Sequence, residues 1–203
     1  MTFQTIGKLT AMLMLGAALT ACVDVTADIE VTSDTTAKTT LTQVMGADFY
    51  TMAKTSDDNT EDDLPSAKGF CVEGVLTENA DGSATCVLIE EGTFADLTDD
   101  ASDAEDVQFA AEGPGLVRVT VPALAITNAI GNQDDLGPDT KKMVEAYFAG
   151  RTLTVRVSGG DIIDTNMTLA KDGKSAAEAI PFLDIINGTA DLPQDLYAVV
   201  RTP

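Results

Sequence analysis

The chain of 203 residues is long enough for one domain with a real core, and its hydrophobic residues, 44% of the total, are spread along it. Against 33 Asp and Glu stand only 12 Lys and Arg, a formal charge of -21 that excludes a phosphate backbone as partner, because such binding is driven by clustered cations, and that repels anionic lipid headgroups. There is no histidine, so neither a Ser-His-Asp or Cys-His apparatus nor a His-ligated metal site is available.

Residues 1–21 hold one charge, Lys8, followed by the apolar run LTAMLMLGAALTA. A basic start and a hydrophobic stretch too short to span a bilayer form the pattern of a secretory signal. An ordinary signal-peptidase cut after Ala21 would put Leu19 at the third position before the cut, where a small residue is preferred. Leu19-Thr20-Ala21-Cys22 instead resembles the lipobox of bacterial lipoproteins, a leucine and two small residues before the cysteine that becomes the mature N-terminus. The resemblance implies that residues 1–21 are removed, that the Cys22 thiol receives a diacylglyceryl group and that the new amine takes a further palmitate-type acyl chain. Each buried methylene contributes about 0.8 kcal/mol and one chain alone holds only marginally, so two or three chains make a lasting anchor. The expected location is the cell envelope, tethered to a membrane through Cys22 without crossing it. Val23 stands where an aspartate would signal inner-membrane retention, which favours the periplasmic face of the outer membrane. With Cys22 consumed by lipid, Cys71 and Cys86 remain as an even pair in an oxidising compartment, and a structural disulfide is their expected state.

The mature chain opens on VDVTADIEVTSD, whose period of two places Val23, Val25, Ala27, Ile29 and Val31 on one side of a half-buried strand. Asp34-Thr35 marks a turn and TAKTTLTQVM the returning strand. GADFYTMAK reads as a short helix with Phe49, Met52 and Ala53 at helical spacing, and residues 55–69 as an acidic loop containing Pro65. Cys71 and Cys86 flank GVLTENADGSAT, two short strands about an Ala80-Asp81-Gly82-Ser83 turn, so the bridge would clamp a hairpin. TFADLTDDASDAED begins as a helical turn and ends in a second acidic loop, near residues 96–106. VQFAAEGPGLVRVTVP gives two strands about Glu112-Gly113-Pro114-Gly115, and ALAITNAIG a short helix. The strongest helix signal lies in residues 135–150, where Asp139 or Thr140 caps an apolar stripe of Met143, Val144, Tyr147 and Phe148 and Gly150 ends it; the stripe reads as core. RTLTVRVSGGDIIDTN alternates through Leu153, Val155 and Val157 until Gly159-Gly160 break the run. LAKDGKSAAEAIPF repeats the hairpin signal at Lys171-Asp172-Gly173-Lys174, FLDIING is a helical or loop segment, and a last strand runs through Tyr197, Val199 and Val200. The predicted fold is a single α+β domain over residues 22–203, mainly antiparallel hairpins, with roughly eight or nine short strands and a few short helices.

The lipobox, the paired strands directly after it, the short helix that follows and the later strand-G-G-x-I-x-x-T-N-hairpin from Val155 to Pro181 together resemble the LppM-type domain of bacterial lipoproteins. The resemblance implies a β-rich domain with an apolar cavity that handles lipid or glycolipid, and it names no catalytic residue. The disulfide pair and the acidic loops lie outside that pattern.

The remaining motifs are weak. Asp57, Asn59 and Glu61 alternate as in an EF-hand loop, but Asp62 sits where glycine is needed and Lys68 where the closing glutamate belongs; the run from Asp99 to Asp106 departs sooner, so both read as solvated loops. Ser158-Gly159-Gly160-Asp161 has no neighbouring Lys or His to activate the serine and reads as a strand end; Gly113-Pro114-Gly115 lacks phosphate-loop spacing; Asn187-Gly188-Thr189 matches a glycosylation sequon that a bacterial lipoprotein seldom meets. The functional expectation is a non-enzymatic envelope lipoprotein, without cofactor or metal, that binds a lipid or other amphipathic ligand. The alternative is a structural or assembly lipoprotein acting on an envelope protein partner.

Overall fold

Strand β1 (Val23–Val31) and strand β2 (Thr36–Met45) pair antiparallel from Val23↔Met45 to Val31↔Ala37, as the alternation predicts. The structure, a computed structural model, describes residues 23–56, 67–98, 106–130, 142, 145 and 148–202; Cys22, the signal segment, the acidic run from Asp57, residues 99–105 of the second acidic run and most of the 135–150 helix signal lie outside them. The turn between the two strands is closed by hydroxyls, Ser33 Oγ accepting from the backbone N–H of Thr35 and of Thr36. Val25, Ile29 and Val31 face inward with Ala37, Leu41 and Met45, and the intervening positions face out.

Strand β3 (Val75–Glu78) and strand β4 (Ala84–Thr93) form the expected hairpin, and β4 extends the sheet from the free edge of β2. Helix α1 (Ala47–Ser56) and the short α2 (Ala67–Phe70) lie in the connection, and α3 (Phe94–Leu97) is a single turn whose Thr93 cap and Asp96 form a reciprocal capping box. In α1 the buried face is Phe49, Tyr50 and Ala53, while Met52 is 40% exposed, which corrects the predicted stripe. The Tyr50 hydroxyl donates to Glu78 Oε1 at 2.8 Å, so the ring is drawn under the β3 edge in place of the methionine.

Strands β5 (Gln108–Gly113) and β6 (Leu116–Pro122) turn at Pro114-Gly115, and α4 (Ala123–Ile130) follows. Residues 142, 145 and 148 are helical, and Phe148 packs its ring 5.0 Å from that of Phe182. Strand β7 (Thr152–Ser158) then lies parallel to β1, from Val25↔Leu153 to Glu30↔Ser158. After it come β8 (Asp161–Thr165), β9 (Thr168–Leu169), β10 (Ser175–Pro181), α5 (Phe182–Ile186) and β11 (Asp195–Arg201). The fold is α+β, mainly antiparallel, in two sheets: seven strands in the order β3-β4-β2-β1-β7-β10-β9 and four in the order β5-β6-β11-β8. The strand count exceeds the expectation because pieces as short as β9 are strands only once β10 lies beside them.

The inner faces share one core. Val25, Ile29, Val155 and Val157 from the first sheet meet Val117, Val119, Leu196 and Val200 from the second, with Phe182 and Ile126 among the largest side chains wholly buried. A bulge between Val199 and Val200 lets β11 bury both residues.

Between β7 and β8 the chain crosses from the first sheet to the second in two residues, Gly159 and Gly160. A Cβ on Gly159, whose φ is +117°, would stand 2.0 Å from the Val31 carbonyl oxygen, and one on Gly160 would stand 1.9 Å from that of Arg201. Both positions therefore press backbone on backbone, where nothing can swing aside. Replacing Gly160 with Ala is expected to cost about 3 kcal/mol or more in denaturant unfolding. The control Gly173→Ala, at φ +69° with open space around it, should cost about 1–2 kcal/mol from conformation alone.

Cys71 and Cys86 are bonded, with Cα atoms 5.5 Å apart and a sequence separation of 15. Cys86 lies opposite Leu76, so the bridge fixes the segment before β3 onto the hairpin. Gly74 packs against it, since a Cβ there would meet Cys86 Sγ at 2.7 Å. The double replacement Cys71→Ser, Cys86→Ser should lower unfolding free energy by about 3 kcal/mol, measured in urea, with the two-sheet circular dichroism retained.

Candidate functional site

The outward positions of β1, β2 and β7 carry the polar residues of the first sheet, and parallel pairing brings those of β1 and β7 side by side. Asp28 lies opposite Arg156 and forms an ion pair with its Nη1, while Ser158 Oγ donates to the other Asp28 oxygen at 3.2 Å. One row further along, Glu30 is in register with Lys38 on one side and Ser158 on the other. The same logic operates nearer the start of β1, where Asp24 accepts from Arg151 Nη1 at 2.7 Å and from the backbone N–H of Thr152 at 3.0 Å.

Beyond Ser158 the Gly159-Gly160 corner brings in the second sheet. Asp161 at the start of β8 is bound by Lys174 Nζ at 2.7 Å, and β11 delivers Arg201 and Thr202 to the same place. The hydrogen bond from Lys174, then its charge, holds the Asp161 carboxyl below the ordinary carboxylate range, with Arg201 adding to the effect. The product is an open groove of about 730 Å³ whose charged lining is Asp28, Glu30, Asp161, Lys38, Arg156, Lys174 and Arg201. Four of the chain's 12 cations thus gather around one groove in a strongly acidic protein. Arg156 and Lys174 are ion-paired; Lys38 and Arg201 have no carboxylate within salt-bridge distance among the described residues.

The chemistry available there is recognition of a polar group through charge and hydrogen bonding. Ser158 spends its hydroxyl on Asp28, a carboxylate already engaged by a guanidinium. Among the described residues no group of three or more His, Cys, Asp or Glu is arranged to hold a metal. A second cavity, of about 70 Å³, lies under the disulfide against Leu41, Gln43, Phe70 and Leu88. It is apolar but far below the 300–1,000 Å³ of small-molecule sites.

Of the residues singled out in the sequence, Cys71 and Cys86 are brought together and Cys22 lies outside the described residues, as do the calcium-like run from Asp57 and residues 99–105 of the second. Gly113-Pro114-Gly115 is the β5–β6 turn, and Asn187-Gly188-Thr189 follows α5. Ser158-Gly159-Gly160-Asp161, read as a strand end, is one, yet all four residues line the groove. Its main constituents, Asp28, Lys38, Arg156 and Arg201, belong to no motif in the sequence. The available signal was the presence of charges at outward positions of strands with strongly apolar inward faces.

No family model matches the chain, and no curated protein does either. Among solved structures the chain is similar to the NMR structure of the folded domain of LppM from Mycobacterium tuberculosis, with a TM-score of 0.42 and 14% identity over 90% of this chain and 91% of that one. A likeness of that degree carries no argument about function.

Proposed function

We propose that this protein is a lipid-anchored, non-enzymatic lipoprotein of the cell envelope whose domain acts as a binding module, and that its binding site is the charged groove where the two sheets meet. The observation that carries the reading is the gathering of four cations and three acids of an otherwise anionic chain around one groove of about 730 Å³. A ligand suited to it presents charge and hydroxyls, with either sign satisfied by the opposite partner in each row. An amphipathic ligand would engage the groove by its polar end, because the groove lining is charged; the small apolar cavity under the disulfide, about 70 Å³, does not fit an acyl chain. The second reading, contact with an envelope protein, uses the same groove for a charged surface segment of the partner.

A photoreactive amino acid in place of Thr40 or Thr202, on the groove wall, should give an adduct in cells that the same group in place of Gly188 does not. A low-mass adduct identifies an amphipathic or glycan ligand and a high-mass adduct a protein. Joint Lys38→Glu and Arg201→Glu substitution should lower the yield at least tenfold with unfolding free energy changed by about 0.5 kcal/mol or less. No adduct at either groove position would sink the proposal.

The anchor is tested separately. Cys22→Ser should move the protein from the membrane fraction to the soluble periplasm or stall its processing. The parent protein should band with outer membranes on a density gradient. Unchanged membrane fractionation of the variant would refute lipid anchoring.

A further inference from the structure

The charged side chains that line the groove fall into two sets. Asp28 is held by Arg156 and Ser158, and Asp161 by Lys174, so both carboxylates are already met by a cation. Glu30, Lys38 and Arg201 make no ion pair and no side-chain hydrogen bond among the described residues. An entering molecule therefore meets two uncommitted cations and one uncommitted carboxylate.

The strands set their order. Lys38, on β2, is the register partner of Glu30, which puts the two Cβ atoms roughly 5 Å apart. On the other flank of Glu30 lies Ser158 of β7, and beyond it the Gly159-Gly160 corner. Arg201 packs on that corner from β11, its carbonyl oxygen 1.9 Å from where a Gly160 Cβ would stand. Glu30 thus has a cation to either side. A compact dianion such as phosphate could reach both cations only by lying against the Glu30 carboxylate, and the chain's charge of -21 adds to that repulsion. A cationic ligand would meet two like charges. The complementary pattern is carboxylate, ammonium, carboxylate, with one excess negative charge against the one excess positive charge of the three side chains. An α-amino acid with a carboxylate side chain carries that pattern on one small, flexible molecule. An acidic residue within a protein chain does not, because its nitrogen is tied up in a peptide bond.

We infer that the groove binds an acidic α-amino acid, Lys38 and Arg201 each taking one of its carboxylates and the Glu30 carboxylate accepting from its ammonium group. This rests on the groove being the binding site and names the ligand class. The test is a titration of isotope-labelled protein, purified from cells, with L-glutamate, glutarate or L-glutamine at constant ionic strength, followed through the backbone amide resonances. Exposed charge pairs contribute little each, so glutamate should saturate in the millimolar range, shifting the amides of Glu30, Lys38 and Arg201. Glutarate, without the ammonium, and glutamine, without the second carboxylate, should bind roughly tenfold more weakly. Lys38→Gln and Arg201→Gln should each weaken glutamate by roughly the same factor, and Glu30→Gln should abolish the preference for glutamate over glutarate. Lys54→Gln, which removes an equal charge on α1, should change nothing. Glutarate or glutamine binding the parent protein as tightly as glutamate would overturn the inference, as would an equal loss in the Lys54 variant. With no saturable shift from any of the three probes the inference also fails; an adduct at Thr40 or Thr202 would then keep the groove as a site for another ligand, and the absence of adducts would remove site and ligand together.

Discussion

Two carbonyl oxygens set the form of this molecule. Those of Val31 and Arg201 close on Gly159 and Gly160 so tightly that no side chain fits at either position. The β7 strand therefore ends against the end of β1, and β8 starts against the end of β11, so that backbone packs on backbone at this crossing. The inner faces meet over a shared core of valines. The polar ends of four strands converge at the same corner as the groove that Asp28, Lys38, Asp161 and Arg201 surround. Packing constraint and candidate site are consequences of the same pair of residues.

The first sheet separates three environments across a single layer. Its inward face is largely aliphatic, with Thr39 and Gln43 buried on β2, its outward face is charged over β1 and β7, and it is uncharged over most of β2, β3 and β4. Charges in the polar strip are arranged in opposed rows, Asp24 with Arg151 and Asp28 with Arg156, which limits repulsion in a chain of such high negative charge. These pairs are half exposed, so each contributes little to stability, at most about 1 kcal/mol, and their larger effect is to hold side chains in place. The disulfide and the Tyr50–Glu78 hydrogen bond secure the other side of the sheet, where β3 would otherwise be a four-residue edge with few contacts.

Local signals were legible wherever the period of two or a turn residue dominated. The β1–β2, β3–β4 and β5–β6 hairpins, the short helix over Ala123–Ile130, the Cys71–Cys86 bridge and the breaking of the chain at Gly159-Gly160 all follow from a few neighbouring residues. The α1 face was misread because Phe49, Met52 and Ala53 satisfy helical spacing as well as Phe49, Tyr50 and Ala53 do. The choice between them depends on Glu78, a residue 28 positions away from Tyr50. The groove was missed for a similar reason. Ser158-Gly159-Gly160-Asp161 looks like an ordinary strand end until β11 arrives beside it.

Composition and periodicity by themselves determined that the chain folds as α+β, which side of β1 and β7 is buried, where the hairpins turn and which cysteines pair, because each depends on interactions a few residues apart or on counting. Only the tertiary structure decided that β7 lies parallel to β1, that Arg156 meets Asp28 from 128 residues away, and that four scattered cations line one groove. Alternation specifies a strand's faces but not its neighbour. The neighbour is chosen by how the whole apolar surface closes, and here that closure runs through two glycines.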